Sequence, residues 1–170
     1  MRQIEFSNEV VASDPSYSLG TWCQVVLENV KPGKYCCFVK EHDTGDWGKR
    51  NSMILVVHED NIKDELDWSE YEGNIGVDSA TFGFFSKANF GGEKFEEDCH
   101  KATGRDLLCQ RIIPEQTWGL VENGAVCISG LGDGSYMLYT AEKDGQVVAM
   151  SVDFGVEEEE TIDFDWYKTN

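Results

Sequence analysis

Alternation of apolar and polar residues predicts a chain made mainly of short β-strands. The clearest pattern covers residues 130–154, where two runs rich in aromatic and β-branched residues flank the pair Asp144-Gly145. Such a pair can adopt the positive φ angles that a tight hairpin turn requires. These residues are therefore predicted to form an antiparallel hairpin.

Further strands follow from shorter patterns along the chain. The apolar run over residues 53–57 is continuous and of strand length, which predicts a buried strand. Weaker patterns predict strand pieces at residues 4–12, 21–27, 35–40, 75–78, 81–85, 109–113, 117–121 and 125–129. Alternation over residues 162–167 predicts a final edge strand. About nine or ten short strands indicate an α+β fold that is mainly β, an antiparallel sandwich or open barrel.

Two short helices are predicted between these strands. Asp60 can cap a helix over residues 61–68, in which Ile62 and Leu66 are spaced four apart. A second helix is predicted over residues 93–103, with Gly104 placed to end it. The first is barely two turns long, so we expect it to need tertiary support.

Length and composition favour one domain over residues 1–170, with an acidic stretch at 156–165 that we expect to be flexible. No apolar run reaches the roughly 20 residues that span a bilayer, and the first residues lack the apolar core of a signal peptide. We therefore expect a cytosolic protein. In that reducing compartment the six cysteines are expected to be buried thiols rather than disulfides.

The formal net charge of −18 is the strongest compositional feature, and the excess is segregated. Residues 59–72 carry seven acids and one base, residues 93–98 four acids and one base, and residues 157–165 six acids and no base. Such a surface repels nucleic acid and anionic membranes, because binding to either depends on Lys and Arg. It would attract a basic protein surface or a cation.

Familiar catalytic signatures are absent from the sequence. It has no phosphate-binding P-loop, no Gly-x-Ser-x-Gly, no His-Glu-x-x-His and no Cys-x-x-Cys. The nearest set of transition-metal ligands is Cys99, His100 and Cys109. Neighbouring positions on a helix point about 100 degrees apart, so Cys99 and His100 would converge poorly on one ion. The three histidines, at positions 42, 58 and 100, have no recognisable nucleophile partner in the sequence.

Four aspartates in turns marked by Gly or Pro are the candidate ligand or metal residues: Asp14, Asp46, Asp78 and Asp133. Carboxylates at strand ends can converge on a hard cation or act as general acid and base. Asp133 lies between Gly132 and Gly134, where the backbone can bend sharply. Aspartate is also common in turns because it accepts hydrogen bonds from its own backbone, so a structural role is the competing interpretation.

Aromatic residues could line a pocket beside those aspartates. The candidates are Trp22, Trp47, Tyr136 and Tyr139. Aromatic residues in strands are more often part of the core, so this pocket depends on whether the aspartates cluster.

Motifs spread along the chain include Ser13-Asp14-Pro15-Ser16-Tyr17, Thr21-Trp22-Cys23-Gln24, Gly45-Asp46-Trp47-Gly48, Gly76-Val77-Asp78-Ser79 and Gly132-Asp133-Gly134-Ser135-Tyr136. In these motifs the chain resembles an uncharacterised domain family of bacteria and their phages. The family's Ser-Asp-Pro motif has a cysteine where this chain has Ser16. The resemblance implies a phage or prophage accessory protein with a β-rich fold, and it implies no established activity.

Two hypotheses follow for function. The first is a non-enzymatic acidic protein that binds a basic partner, in its sharpest form a mimic of nucleic acid that inhibits a host protein. Its candidate contact residues are Asp60, Asp64, Glu65, Glu157, Glu158, Glu159 and Glu160. The alternative is a small-ligand or metal site built from the turn aspartates, which could be an enzyme. No cofactor is predicted, and the oligomeric state is left open.

Overall fold

Eleven strands form two antiparallel sheets in the computed structural model, which describes residues 2–90, 116–122, 124–158 and 160–169. In chain order the strands are β1 (Arg2–Phe6), β2 (Val10–Ser13), β3 (Val25–Leu27), β4 (Gly33–Asp43), β5 (Lys49–His58), β6 (Trp68–Val77), β7 (Thr81–Ser86), β8 (Trp118–Val121), β9 (Gly124–Ile128), β10 (Gly134–Lys143) and β11 (Gln146–Asp153). Six strands pair in the order β1-β4-β5-β11-β10-β6 and five in the order β3-β2-β7-β9-β8. The predicted mainly β fold is confirmed.

The main core lies between the two sheets. Ile54 and Val56 of β5 belong to it, together with Phe82 and Phe84 of β7. Tyr35 is also fully buried, and its hydroxyl donates to the carbonyls of Lys31 (2.9 Å) and Val147 (3.2 Å). The hydroxyl of this buried tyrosine therefore has hydrogen-bond acceptors within the fold.

A second apolar cluster covers the outer face of the six-stranded sheet. Residues of β5 that alternate with the core residues, Met53, Leu55 and Val57, belong to it. Tyr167 and the half-buried Phe164 pack against these residues from the C-terminal segment. Since β5 is buried on both faces, its apolar run is continuous rather than alternating, as the sequence predicts.

The predicted hairpin is confirmed as β10–β11. Asp144 has a φ of 54° and Gly145 a φ of 75°, and Lys143 pairs with Gln146 across the turn. Two positive φ angles match the right-handed twist of the flanking strands.

The N-terminal segment predicted as one strand over residues 4–12 is two strands in different sheets. β1 pairs with β4 in the six-stranded sheet, and β2 pairs with β3 and β7 in the five-stranded sheet. The chain crosses between sheets at Ser7, whose backbone N–H donates to the hydroxyl of Ser86 at 3.1 Å.

The helix predicted over residues 61–68 is wrong. One 3-10 turn covers Glu59–Asn61, and Trp68 begins β6. The turn is capped by His58, whose Nδ1 accepts from the backbone N–H of Asp60. Ile62 and Leu66 pack on the outer apolar cluster, and contacts of this kind override the weak preference of a two-turn helix.

The predicted edge strand at residues 162–167 is also wrong. The segment lies across the outer face of the six-stranded sheet, where Ile162, Phe164 and Trp166 pack, and it ends in a 3-10 turn at Trp166–Thr169. An extended segment lying on a sheet buries alternate residues just as an edge strand does, so the sequence pattern could not distinguish them.

One short α-helix, α1 (Lys87–Phe90), follows β7. The helix predicted at 93–103, the strand at 109–113 and the set Cys99, His100 and Cys109 lie outside the described residues. Cys23, Cys36, Cys37 and Cys127 are buried, as predicted. No helix in the described part of the chain is long and apolar enough to cross a membrane.

Candidate functional site

The turn between β6 and β7, residues 78–80, is held by the buried carboxylate of Asp14. Asp14 Oδ2 accepts from the backbone N–H groups of Asp78 and Ser79, both at 2.8 Å. Asp14 Oδ1 accepts from the hydroxyl of Ser79 (2.7 Å) and from the N–H (2.8 Å) and hydroxyl (2.7 Å) of Ser16. Five hydrogen bonds occupy the acceptor sites of this carboxylate, which indicates a structural role for Asp14.

Asp133 reaches the same turn from the glycine-rich loop before β10. Its Oδ1 accepts from the backbone N–H of Ala80 at 2.9 Å. The loop is tight because Gly130 has a φ of 50° and a Cβ there would lie 2.8 Å from the Cβ of Phe154. Glycine is therefore required at position 130, and the bend that it permits carries Asp133 to Ala80.

Asp78 and Asp133 line an open cleft of about 380 Å³. Its wall comprises Tyr17, Trp22, Cys23, Gly76, Val77, Asp78, Asp133, Gly134 and Ser135. The Tyr17 hydroxyl donates to Asp78 Oδ2. Burial, this hydrogen bond and the neighbouring Cys23 raise the pKa of Tyr17, so the phenol remains protonated and continues to donate.

The structure thus brings together three of the four predicted turn aspartates around residues 78–80, with Trp22 beside them. Asp46 and Trp47 lie elsewhere, in the 3-10 turn Gly45–Trp47 that joins β4 to β5. Within the described residues no group of three His, Cys, Asp or Glu side chains is arranged to hold a metal ion.

Two further aromatic candidates support the fold instead of lining the cleft. The Tyr136 hydroxyl donates to the carbonyls of Ser129 (3.2 Å) and Gly132, and its ring packs on Phe154 with centroids 5.1 Å apart. The Tyr139 ring packs on Phe164 with centroids 5.0 Å apart. Tyr136 therefore stabilises the loop that carries Asp133.

Sequence reasoning missed Tyr17 and Cys23 as cleft residues. Tyr17 lies three residues after Asp14, and Cys23 directly follows Trp22. No local signal distinguishes them, because their partners come from β6 and the turn after it. Gly76 fits this packing, since a Cβ there would lie 2.9 Å from the Cys23 sulfur.

The predicted acidic contact residues fall into two groups. Glu65, Glu158 and Glu160 are exposed, and Glu159 lies outside the described residues. The others have partners: Asp60 pairs with Lys31 (2.9 Å), Asp64 with Lys143, and Glu157 with Lys40 (2.7 Å). The lysine contacts lower the pKa values of Asp60 and Asp64.

Two of the acidic clusters meet on the outer side of the six-stranded sheet. Phe164 stacks on Trp68 with ring centroids 4.6 Å apart, and the Tyr167 hydroxyl donates to the Ile62 carbonyl at 3.2 Å. Lys168 Nζ donates to the Asp64 carbonyl at 2.7 Å. These contacts hold the described residues of the segment 156–169 beside residues 59–68.

We use the name acidic face for the exposed carboxylates that these segments and β6 carry. They are Glu65, Asp67, Glu70, Glu72, Glu158, Glu160, Asp163 and Asp165. Carboxylates near this face add to the raised pKa values of two tyrosines. Burial and then Asp165 and Asp64 raise the pKa of Tyr167 to about 12, and burial and then Asp153 and Glu70 raise that of Tyr139.

Fold and site together define an antiparallel β-sandwich that has an acidic outer face and a separate cleft with an exposed tryptophan. Comparison with known proteins gave no match: no protein-family model fits the chain, and no curated sequence or solved structure is significantly similar to it.

Proposed function

We propose that this protein is a non-enzymatic acidic binding protein that uses the acidic face to engage a basic protein surface. In its most specific form, the proposal is that this is a phage or prophage accessory protein that imitates nucleic acid and inhibits a host protein. The observation that carries the proposal is the meeting of two acidic clusters, from residues 59–72 and 157–165, on one side of the six-stranded sheet.

The folded chain keeps these two acidic clusters together on the outer side of the six-stranded sheet. Trp68, Phe164 and Tyr167 hold the segments in place through aromatic contacts, so the exposed carboxylates are displayed on an ordered apolar support. A fixed array of like charge costs self-repulsion, and a complementary basic surface relieves it.

The alternative is a small-ligand or metal site built from the turn aspartates. The geometry leaves two of the four aspartates as candidate ligands. Asp14 has its acceptor sites occupied, and Asp46 lies in another turn. What supports a ligand site is the cleft that Asp78 and Asp133 share with Trp22.

Affinity capture from a bacterial lysate tests the acidic-face proposal. Tagged protein is compared with a face variant, Glu65→Gln, Glu158→Gln and Glu160→Gln, which leaves the anchoring Glu157 unchanged. The matched control removes the same number of exposed charges outside the face, by Glu5→Gln, Glu28→Gln and Asp46→Asn.

The proposal expects a basic, nucleic-acid-handling protein to be captured by the wild type and the matched control but lost with the face variant. It should also be lost as the salt rises, because the screening length falls from about 10 Å at 0.1 M to about 3 Å at 1 M. Capture that is indifferent to salt, equal loss in both variants, or no specific capture would contradict it.

A further inference from the structure

The cleft beside the 78–80 turn presents an exposed indole next to two carboxylates. Trp22 is 91% exposed, the highest value among the exposed large hydrophobic residues of the described chain. Its neighbours along the cleft wall, Tyr17 and Cys23, are at least partly buried. What distinguishes Trp22 from the other exposed large hydrophobic residues is its place on the wall of a cleft of about 380 Å³, where an aromatic face can contact a ligand.

The charge of the cleft decides which ligand fits. Asp78 and Asp133 both line it, and none of its lining residues is Lys, Arg or His. Each carboxylate uses one oxygen within the fold: Asp78 Oδ2 accepts from Tyr17, and Asp133 Oδ1 accepts from the Ala80 N–H. Within the described chain, no hydrogen bond reaches the other oxygen of either carboxylate. Those oxygens are acceptors for a cationic donor.

A guanidinium group matches both parts of this wall. It is planar and stacks on an indole face, and it donates several N–H groups in its own plane to carboxylates. An ammonium group can make the cation–π contact but is a compact, strongly hydrated charge that does not lie flat on a ring. An anion is disfavoured by the two carboxylates.

We propose that this cleft is a binding site for a guanidinium group, an arginine side chain that stacks on Trp22 and donates to Asp78 and Asp133. The hydroxyl of Tyr17 fixes the orientation of Asp78, and the Ala80 N–H fixes that of Asp133. This site is separate from the acidic face and does not depend on it.

Titration of the labelled protein with three capped amino acids, followed by NMR of its backbone and indole N–H groups, tests the proposal. Nα-acetyl-arginine amide is the probe, the citrulline amide is its neutral isostere, and the lysine amide carries the same charge without the plane. Comparing free arginine with the arginine amide distinguishes a site for the free amino acid from a site that binds an arginine residue within a peptide. We expect saturable binding of the arginine amide, with a Kd on the order of 1 mM for so small a ligand.

Variants locate the binding. Trp22→Ala and Asp133→Asn should each weaken it about fivefold, from the loss of a cation–π contact or of a charge-assisted hydrogen bond. Asp133→Asn keeps the oxygen that accepts from Ala80, so the loop should be retained. The matched controls Trp47→Ala and Asp46→Asn change an exposed tryptophan and an aspartate of another turn and should leave binding unchanged.

Equal shifts with the citrulline amide would overturn the role of charge, and equal affinity for the lysine amide would overturn the choice of guanidinium. Shifts that map away from Trp22, Gly134 and Ser135, or binding that survives both site variants, would overturn the location. The absence of saturable binding by the arginine amide would overturn the proposal as a whole.

Discussion

Asp14 Oδ2 accepts a hydrogen bond from the backbone N–H of Ser79, 65 residues further along the chain, at 2.8 Å. Asp14 follows β2 of the five-stranded sheet, while Ser79 lies where the chain passes from β6 of the six-stranded sheet to β7 of the other. One buried carboxylate therefore joins the two sheets at the end of the sandwich where the cleft lies.

Asp14→Asn is expected to destabilise the fold by about 3 kcal/mol. The substitution replaces one acceptor oxygen by an NH₂ group that must face N–H and O–H donors, and it removes the charge that strengthens the remaining hydrogen bonds. Urea denaturation should show a lower midpoint with an unchanged m-value.

The comparison for this change is Asp46→Asn, in another glycine-marked turn. Asp46 is exposed and the 3-10 turn that contains it buries none of its residues, so we expect a change within about 0.5 kcal/mol. Equal effects at positions 14 and 46 would contradict the anchoring role of Asp14.

Local chemistry explains which parts of the fold the sequence could predict. Asp144-Gly145 encodes its own turn, and the continuous apolar run 53–57 matches a strand that is buried on both faces. Residues 61–68 and 162–167 were misassigned because their apolar residues pack on the outer face of a sheet built from distant strands. Periodicity reports which residues are buried, not what buries them.

The same limit applies to the candidate site. Asp14, Asp46, Asp78 and Asp133 have similar local sequences, each next to Gly or Pro or within two residues of one. The structure gives them different surroundings. Asp14 is buried and accepts five hydrogen bonds, Asp46 is exposed, and Asp78 and Asp133 share a cleft. Which carboxylate keeps a free oxygen depends on tertiary contacts that no local pattern encodes.

Ala80→Val is expected to destabilise the protein by about 2 kcal/mol, because Ala80 has a φ of 56° and a β-branched residue is strained at positive φ. Ala80→Asn should be tolerated within about 0.5 kcal/mol, since asparagine adopts this region readily. Both variants keep the N–H that donates to Asp133. Thermal or urea unfolding that ranks them equally would contradict the assigned backbone conformation.

Glu157→Gln should loosen the C-terminal segment, at a cost of about 1–2 kcal/mol. The Glu157 side chain is 13% exposed, and it accepts from Lys40 (2.7 Å) and from the Ser52 hydroxyl. Loss of the charge leaves the half-buried Lys40 ammonium without a charged partner. Limited proteolysis within residues 156–165 should become faster.

Glu158→Gln is the matched control for this prediction, because it makes the same chemical change at the neighbouring, exposed position. Its stability and proteolysis rate should remain those of the wild type. If both variants behave alike, the contacts of Glu157 do not hold the segment to the sheet.

The stability of the wild type should fall as the pH rises from 10 to 12, in part because of Tyr167. Burial raises the pKa of this phenol from its usual 10 to about 12 in the folded protein, with Asp165 and Asp64 adding to the shift. Between these values the unfolded state has released the proton and the folded state retains it, so the stabilisation that is complete below pH 10 is lost. Each such proton contributes a slope of about 1.4 kcal/mol per pH unit. Tyr167→Phe removes the titrating group. The unfolding free energy of the wild type minus that of the variant should therefore decrease as the pH rises over this range. A constant difference would contradict the assigned burial of Tyr167.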